Sequence, residues 1–171
     1  IGFACARALQ AAGAKVAVTS TTDRIFERAK ELGEGAFAHV ADLVETDQVE
    51  ALVKAVEAAL GPIDIVVNNA GMVQTGHDEP SRLVHEIPDS QWRRGMDINI
   101  TTVFKVTRAV VPGMIERRHG RIVNMSSVTG PVVSNPKATI YSAAKAGIMG
   151  MTRAQAIELA EYNITVNAIG P

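Results

Sequence analysis

The 171 residues are 47% hydrophobic and 20% charged, which reads as one globular domain with a real core. The formal net charge of −1 leaves no basic footprint for nucleic acid or an anionic membrane surface. The chain shows no membrane-length apolar run and no signal-peptide pattern, and its lone cysteine, Cys5, excludes an internal disulfide and fits a reducing, cytoplasmic setting.

The predicted elements alternate along the chain. Residues 3–12 are Ala-rich and read as a helix, with Cys5 as a small buried residue in it. Lys15-Val16-Ala17-Val18-Thr19 is rich in β-branched residues and reads as a buried strand. A helix follows over 23–32, with Asp23 able to cap it, and then a weaker strand over 36–40. The helix predicted over 46–60 carries Val49, Leu52, Val53, Val56 and Leu60 at 3.6-residue spacing. Ile63-Asp64-Ile65-Val66-Val67 is a strong third strand after Gly61-Pro62. A long helix is expected over 89–114, where Trp92, Met96, Ile100, Val103, Val106 and Val110 keep helical spacing. Strands over 121–125 and 164–169 flank a last helix over 139–161. Near-continuous apolar strands separated by helices predict an α/β, doubly wound parallel sheet with helices on both faces. Ala143, Gly147, Gly150 and Ala154 form a stripe of small residues on the last helix; packing within the chain and packing between subunits both account for it.

The chemistry gathers at strand ends. Asn68-Asn69-Ala70-Gly71 follows the third strand, and small and amide residues there leave room for a flat ligand at the carboxyl edge of the sheet. An ordinary Asn-rich turn explains the same residues. Ser126-Ser127 follows the fourth strand in the same way, where hydroxyls that cap a strand end are the plain alternative. In Tyr141-Ser142-Ala143-Ala144-Lys145 the phenol and the ammonium lie one helical turn apart. A cation beside a phenol favours the phenolate and brings proton transfer toward neutral pH.

Taken together, Asn68-Asn69-Ala70-Gly71, Asn99 in Met96-Asp97-Ile98-Asn99, Asn124-Met125-Ser126-Ser127, Tyr141 with Lys145, and Asn167-Ala168-Ile169-Gly170-Pro171 resemble the classical short-chain dehydrogenases/reductases over essentially the whole chain. Within that family the look is that of 3-oxoacyl-acyl-carrier-protein reductases. The resemblance implies a single NAD(P)-binding, Rossmann-like domain over 1–171, truncated at both ends. Ile1-Gly2 would be the last two residues of the family's glycine motif. Tyr141 would be the general acid in reduction and the base in oxidation. Lys145 would lower the Tyr pKa and bond the nicotinamide ribose, Ser127 would polarise the substrate carbonyl, and Asn99 would help hold a proton-relaying water. Asn68, Ala70 and Gly71 would line the cofactor, Asp42 in Ala41-Asp42-Leu43 would meet the adenine, and Ile169 and Pro171 would flank the nicotinamide. The family also implies a small carbonyl or alcohol substrate and a homotetramer built on the 89–114 and 139–161 helices.

The second family strand ends Val18-Thr19-Ser20-Thr21-Thr22-Asp23-Arg24, with Ser20 where NAD-dependent members carry Asp. Hydroxyls of Ser20, Thr21 and Thr22 could donate to a 2′-phosphate and Arg24 could neutralise it, so NADP(H) is favoured over NAD(H). An ordinary turn with Asp23 as cap is the alternative. The family's first strand, its phosphate loop, and its C-terminal strand and lid have no counterpart here. Two sheet edges are therefore expected to be left unpaired, and the polypeptide by itself is not expected to be a stable, active enzyme. Residues 72–88 form a long loop in which His77 and Asp78 read as solvated. His39, His85 and His119 lack ligand spacing, so no metal is expected. Two other classes compete with a reductase: a lyase or epimerase that uses the same Tyr–Lys pair, and a nucleotide-sensing module without turnover.

Overall fold

A computed structural model describes residues 1–71 and 80–171; His77 and Asp78 lie outside the described residues. Among the described residues five strands alternate with helices, and every pair of neighbouring strands is parallel. In chain order these are α1 (Gly2–Ala11), β1 (Val16–Ser20), α2 (Arg24–Leu32), β2 (Ala36–Val40), α3 (Thr46–Leu60), β3 (Ile65–Asn68), α4 (Asp89–Met96), α5 (Thr102–Arg117), β4 (Gly120–Met125), α6 (Thr139–Leu159) and β5 (Ile164–Ile169).

Among the described residues the strands form two sheets. β1 pairs with β2, Val16 opposite Ala36. The other sheet has the order β3–β4–β5, with Ile65 opposite Arg121 and Gly120 opposite Ile164. The expected gap therefore falls between β1 and β3. Their facing edges line a cleft of about 970 Å³, to which Val16, Val18, Ile65 and Val67 contribute. Helices flank both sheets: α2 on β1 and β2, α3 on β2, α5 on β3 and β4, α6 on β4 and β5. This is the Rossmann-like arrangement that the alternating pattern predicts.

The main core lies against the three-stranded sheet. Met114, Ile122 and Ile164 are nearly or wholly inaccessible, and Val66, Val110, Leu159 and Val166 close around them. Strand β5 is buried at Ile164 and Val166 but not at Thr165 or Asn167, the alternation of a strand with one face inward. A smaller core joins Ala41 to Leu52 and Val56 of α3.

One expected element is broken. The helix over 89–114 is three pieces: α4, a π-turn over Asp97–Thr101, and α5, which runs on to Arg117. Thr102 N–H bonds to Asp97 O, an i→i+5 bond that inserts one residue into the helical ladder. Pro112 sits within α5. The last helix also ends earlier than expected, at Leu159, and continues as a 3₁₀ turn over Ala160–Tyr162. Asp23 precedes α2, but its side chain makes no capping bond.

Candidate active site

The carboxyl ends of β3, β4 and β5 converge, and backbone bonds fasten two of them beyond the sheet. Ser126 N–H donates to Ile169 O at 2.8 Å, and Val128 N–H to Pro171 O at 3.2 Å. A Cβ on Gly170 would lie 3.2 Å from the Ser127 carbonyl, so β5 ends directly against the backbone that carries Ser127. The segment after Ser127 folds back onto the start of α6, where the Ser134 and Ser142 hydroxyls are 2.7 Å apart.

Lys145 is at the centre of the site. It is only 3% exposed, although it carries an ammonium. Its Nζ donates to Met125 O at 2.7 Å and stands 5.5 Å from the centroid of the Tyr141 ring. Ser126 Oγ donates to the Lys145 carbonyl at 2.9 Å, so the end of β4 grips this residue at both ends. Burial lowers the Lys145 pKa below its ordinary value. Tyr141 is half-buried one turn earlier on α6. Ser127 is also half-buried, and its Oγ accepts a bond from Thr129 N–H at 3.1 Å. That leaves the Ser127 hydroxyl hydrogen free to donate elsewhere.

Asn99 occupies the middle of the π-turn and is 2% exposed. Its Nδ2 donates to Gly95 O at 2.9 Å, while its Oδ1 is buried without a partner in the structure. Unpartnered buried acceptors are rare, and this one marks a place for a donor. Gly71 lies against it: a Cβ there would stand 3.2 Å from Asn99 Oδ1 and 3.0 Å from Ile98 O. The backbone of Gly71, at φ 126°, also suits glycine alone.

The residues expected around a nucleotide are spread along the sheet edge. Ser20, Arg24, Leu43 and Ala70 line the cleft between the two sheets, and Gly2 meets Asn69 there. Thr21 is exposed in the turn after β1, and Ser20 Oγ accepts a 3.4 Å bond from Thr22 N–H. Asp42 is exposed, and its carboxylate accepts Val44 N–H at 3.0 Å. Lys105 of α5 donates to Val44 O, which ties this loop to the helix that follows Asn99. Ile1 and Pro171 are exposed at the chain ends. Hydroxyls and a guanidinium at one rim, small residues along the edge and an orphan acceptor at the other suit a nucleotide laid across the strand ends.

Asn68 also borders this cleft, at the end of β3. Its side chain turns into the core and donates to Thr107 Oγ1 at 3.1 Å and to Asn124 Oδ1 at 2.9 Å. Asn124 in turn donates to Thr152 Oγ1 at 3.0 Å, and that hydroxyl donates to Ile148 O. A buried polar chain thus runs from α5 through β3 and β4 to α6. The sequence pattern pointed to neither Thr107 nor Thr152, and it marked Ser126 only as a hydroxyl at a strand end. The signal for the chain was Asn124, an amide inside an otherwise apolar strand.

The short chain dehydrogenase family profile matches residues 1–171. The chain belongs to the short-chain dehydrogenase family. That membership supports an NAD(P)-dependent oxidoreductase, and this is an enzyme sequence of the short-chain dehydrogenase/reductase type. Nodulation protein G of a Rhizobium species is 41% identical over the whole chain, which spans 67% of that relative. The 3-oxoacyl-[acyl-carrier-protein] reductase of Vibrio cholerae is 34% identical, again over the whole chain and 68% of the relative. A crystal structure of a short-chain oxidoreductase from a metagenome, in complex with NADP, superposes with a TM-score of 0.88 at 30% identity, over 99% of this chain and 76% of that one. The chain thus spans about two thirds of the length of the curated relatives.

Proposed function

We propose that this chain carries the catalytic centre of a reductase that interconverts a ketone and a secondary alcohol, with NADP(H) preferred over NAD(H). The observation that carries the reading is the buried Lys145 ammonium 5.5 Å from the Tyr141 ring, at the strand end that also presents Ser127. When bound, the nicotinamide supplies or accepts the hydride. The protein's part is to handle the oxygen and its proton. In reduction, Tyr141 Oη gives its proton to the oxygen as the carbonyl becomes an alkoxide, and in oxidation it takes that proton back. The free Ser127 hydroxyl hydrogen donates a second bond to the same oxygen, stabilising the charge that develops there. Lys145 places a desolvated positive charge beside the phenol, where a low-dielectric setting strengthens its effect. Asn99 Oδ1 offers an acceptor for the far end of a proton path.

Ser20, Thr21 and Arg24 would hold the adenosine 2′-phosphate. Asp42 and Leu43 would border the adenine, Ala70 and Gly71 would pass under the ligand, and Ile1 and Pro171 would bracket its phosphate and nicotinamide ends. Asn68 would contribute its backbone alone, because its amide is engaged in the core. The substrate class suggested by the reductase-named relative is a 3-oxoacyl thioester. The exposed face of α5 and α6 suits a homotetramer: a Cβ added at Gly150 would meet open space, and Ala154, Phe104 and Ile157 are exposed.

The test is to assay the full gene product with NADPH and NADH against 3-oxoacyl thioesters, simple ketones, sugars and steroids. Turnover of at least one carbonyl, lost about 10³-fold or more in Tyr141→Phe, is expected. Nucleotide binding without consumption of any carbonyl would defeat the reductase reading.

A further inference from the structure

We infer that Gly95 is a positioning residue of the active site, and that its missing side chain sets the spacing between the π-turn that carries Asn99 and the first turn of α6 that carries Tyr141. Two contacts meet at this residue, and a third mirrors them further along the seam. Its carbonyl accepts the Asn99 amide, which turns Oδ1 away as the unpartnered acceptor. A Cβ built on Gly95 would fall 2.3 Å from Cγ2 of Ile140, the residue beside Tyr141. The contact is reciprocated two turns along α6: a Cβ on Gly147 would lie 2.7 Å from Cδ1 of Ile100, the residue after Asn99. The seam between the π-turn and α6 is therefore two isoleucines, one from each side, each seated on a glycine of the other.

Ile140 has no cheap way to yield. A β-branched side chain in a helix keeps one χ1 rotamer, so Cγ2 cannot swing aside as the end of a long chain would. Any side chain at position 95 must then push the helices apart, which carries Asn99 and Tyr141 with them. Helix propensity does not account for the glycine, since it is a poor helix former and Ala would serve α4 better. Gly71 also lies close to Asn99, where an added Cβ would stand 3.2 Å from its Oδ1, so the π-turn has backbone as a neighbour there as well.

The kinetic readout rests on the reductase reading above. In the full gene product, Gly95→Ala should lower kcat about ten- to hundredfold while KM for the nucleotide changes less than about threefold. Adding Ile140→Ala removes Cγ2 and should restore most of the lost kcat, a rescue that generic destabilisation would not produce. Wild-type kcat in Gly95→Ala, or a loss that Ile140→Ala does not relieve, would overturn the inference. Should Gly95→Ala fail to fold, the double variant is compared with Ile140→Ala alone: equal kcat supports the steric account, and a further tenfold fall, about 1.4 kcal/mol, defeats it. If the wild-type protein reduces no carbonyl, the proposed function falls and crystal structures decide the inference separately. Asn99 and Tyr141 moved apart in Gly95→Ala and returned in the double variant would uphold it; unmoved residues would not.

Discussion

The two sheets are built differently. Around β3, β4 and β5 the molecule has its main core, and a buried chain of hydroxyls and amides, Thr107–Asn68–Asn124–Thr152, stitches α5 and α6 through the strands. Around β1 and β2 there is less. β1 is buried only at Val16 and β2 at none of its five residues, while the ion pairs of α2 lie on its surface. The contrast follows the work proposed for each part. Proton transfer needs groups fixed within fractions of an ångström, and Tyr141, Lys145, Ser127 and Asn99 all sit on the packed side. A nucleotide rim needs donors that reach out, and a ligand that binds the folded state adds its own stabilisation.

The largest effect should come from the packed side, at Lys145. Lys145→Met should cut turnover about 10³-fold while raising the melting temperature, because it removes a buried ammonium from a region that is otherwise tightly packed. The pH dependence has a definite sign. Below the lowered folded pKa both folded and unfolded states hold the proton, and the folded state carries the full cost of the buried charge. Once pH passes the lowered folded pKa, the folded state releases its proton first, the unfolded chain binds more protons, and wild-type stability rises until pH reaches the ordinary value of 10.5. Thermal melts at pH 7, 9 and 10.5 should therefore show the advantage of Lys145→Met shrinking as pH increases. An advantage that is absent at pH 7 would mean that the bond to Met125 O offsets the burial.

Next in size is the polar chain. Asn124→Ala removes its central member and leaves the Asn68 amide short of an acceptor and Thr152 short of a donor, all within the core. A loss of about 2–4 kcal/mol in urea unfolding is expected. A loss under about 1 kcal/mol would mean that the chain is not what holds this side together.

How much of this was legible in the sequence depends on which physical rule each residue obeys. The alternation of strands and helices was legible in the apolar runs and helical stripes, and the two unpaired sheet edges followed from the family resemblance. The π-turn at Asp97–Thr101 was not legible. One inserted residue leaves Met96, Ile100 and Val103 still near helical spacing, so the stripe reads as a single helix. The direction of Asn68 was legible in principle. It stands two residues from Val66, and side chains two apart in a strand share a face, so a buried Val66 predicts a buried Asn68. The motif's place at a strand end drew attention to the edge instead. The seating of Ile140 on Gly95 had no signal at all, since 45 positions separate the two residues and neither is unusual alone.

On the nucleotide side the effects should be smaller and selective. Arg24→Ala is expected to weaken NADPH binding about tenfold, the loss of one charge-assisted contact, and to leave NADH binding within about twofold. Fluorescence titration of the two nucleotides reads the difference. Equal losses would remove the preference for NADP(H).

The smallest effects lie on α2 itself, where two ion pairs of the same spacing can be set against each other. Lys30 pairs with Glu27 at 2.8 Å, but both side chains are about two-thirds exposed or more, at 73% and 66%. Water and salt screen such a pair, so Lys30→Ala should change stability by no more than about 0.5 kcal/mol. Arg28 makes the same kind of pair with Glu31, and its guanidinium also lies 5.1 Å from the ring centroid of Phe3 on α1. That second contact joins two helices of the thinly packed side, and Arg28→Ala should cost about 0.5–1 kcal/mol more than Lys30→Ala. Melting curves of the two variants at low and high salt separate the terms. Salt should erase the ion-pair part in both and leave the larger share of the Arg28 effect, because the stem of that residue also loses apolar contact with the ring. If the two variants melt together, α1 is held by its packing on β1 and owes nothing measurable to Arg28.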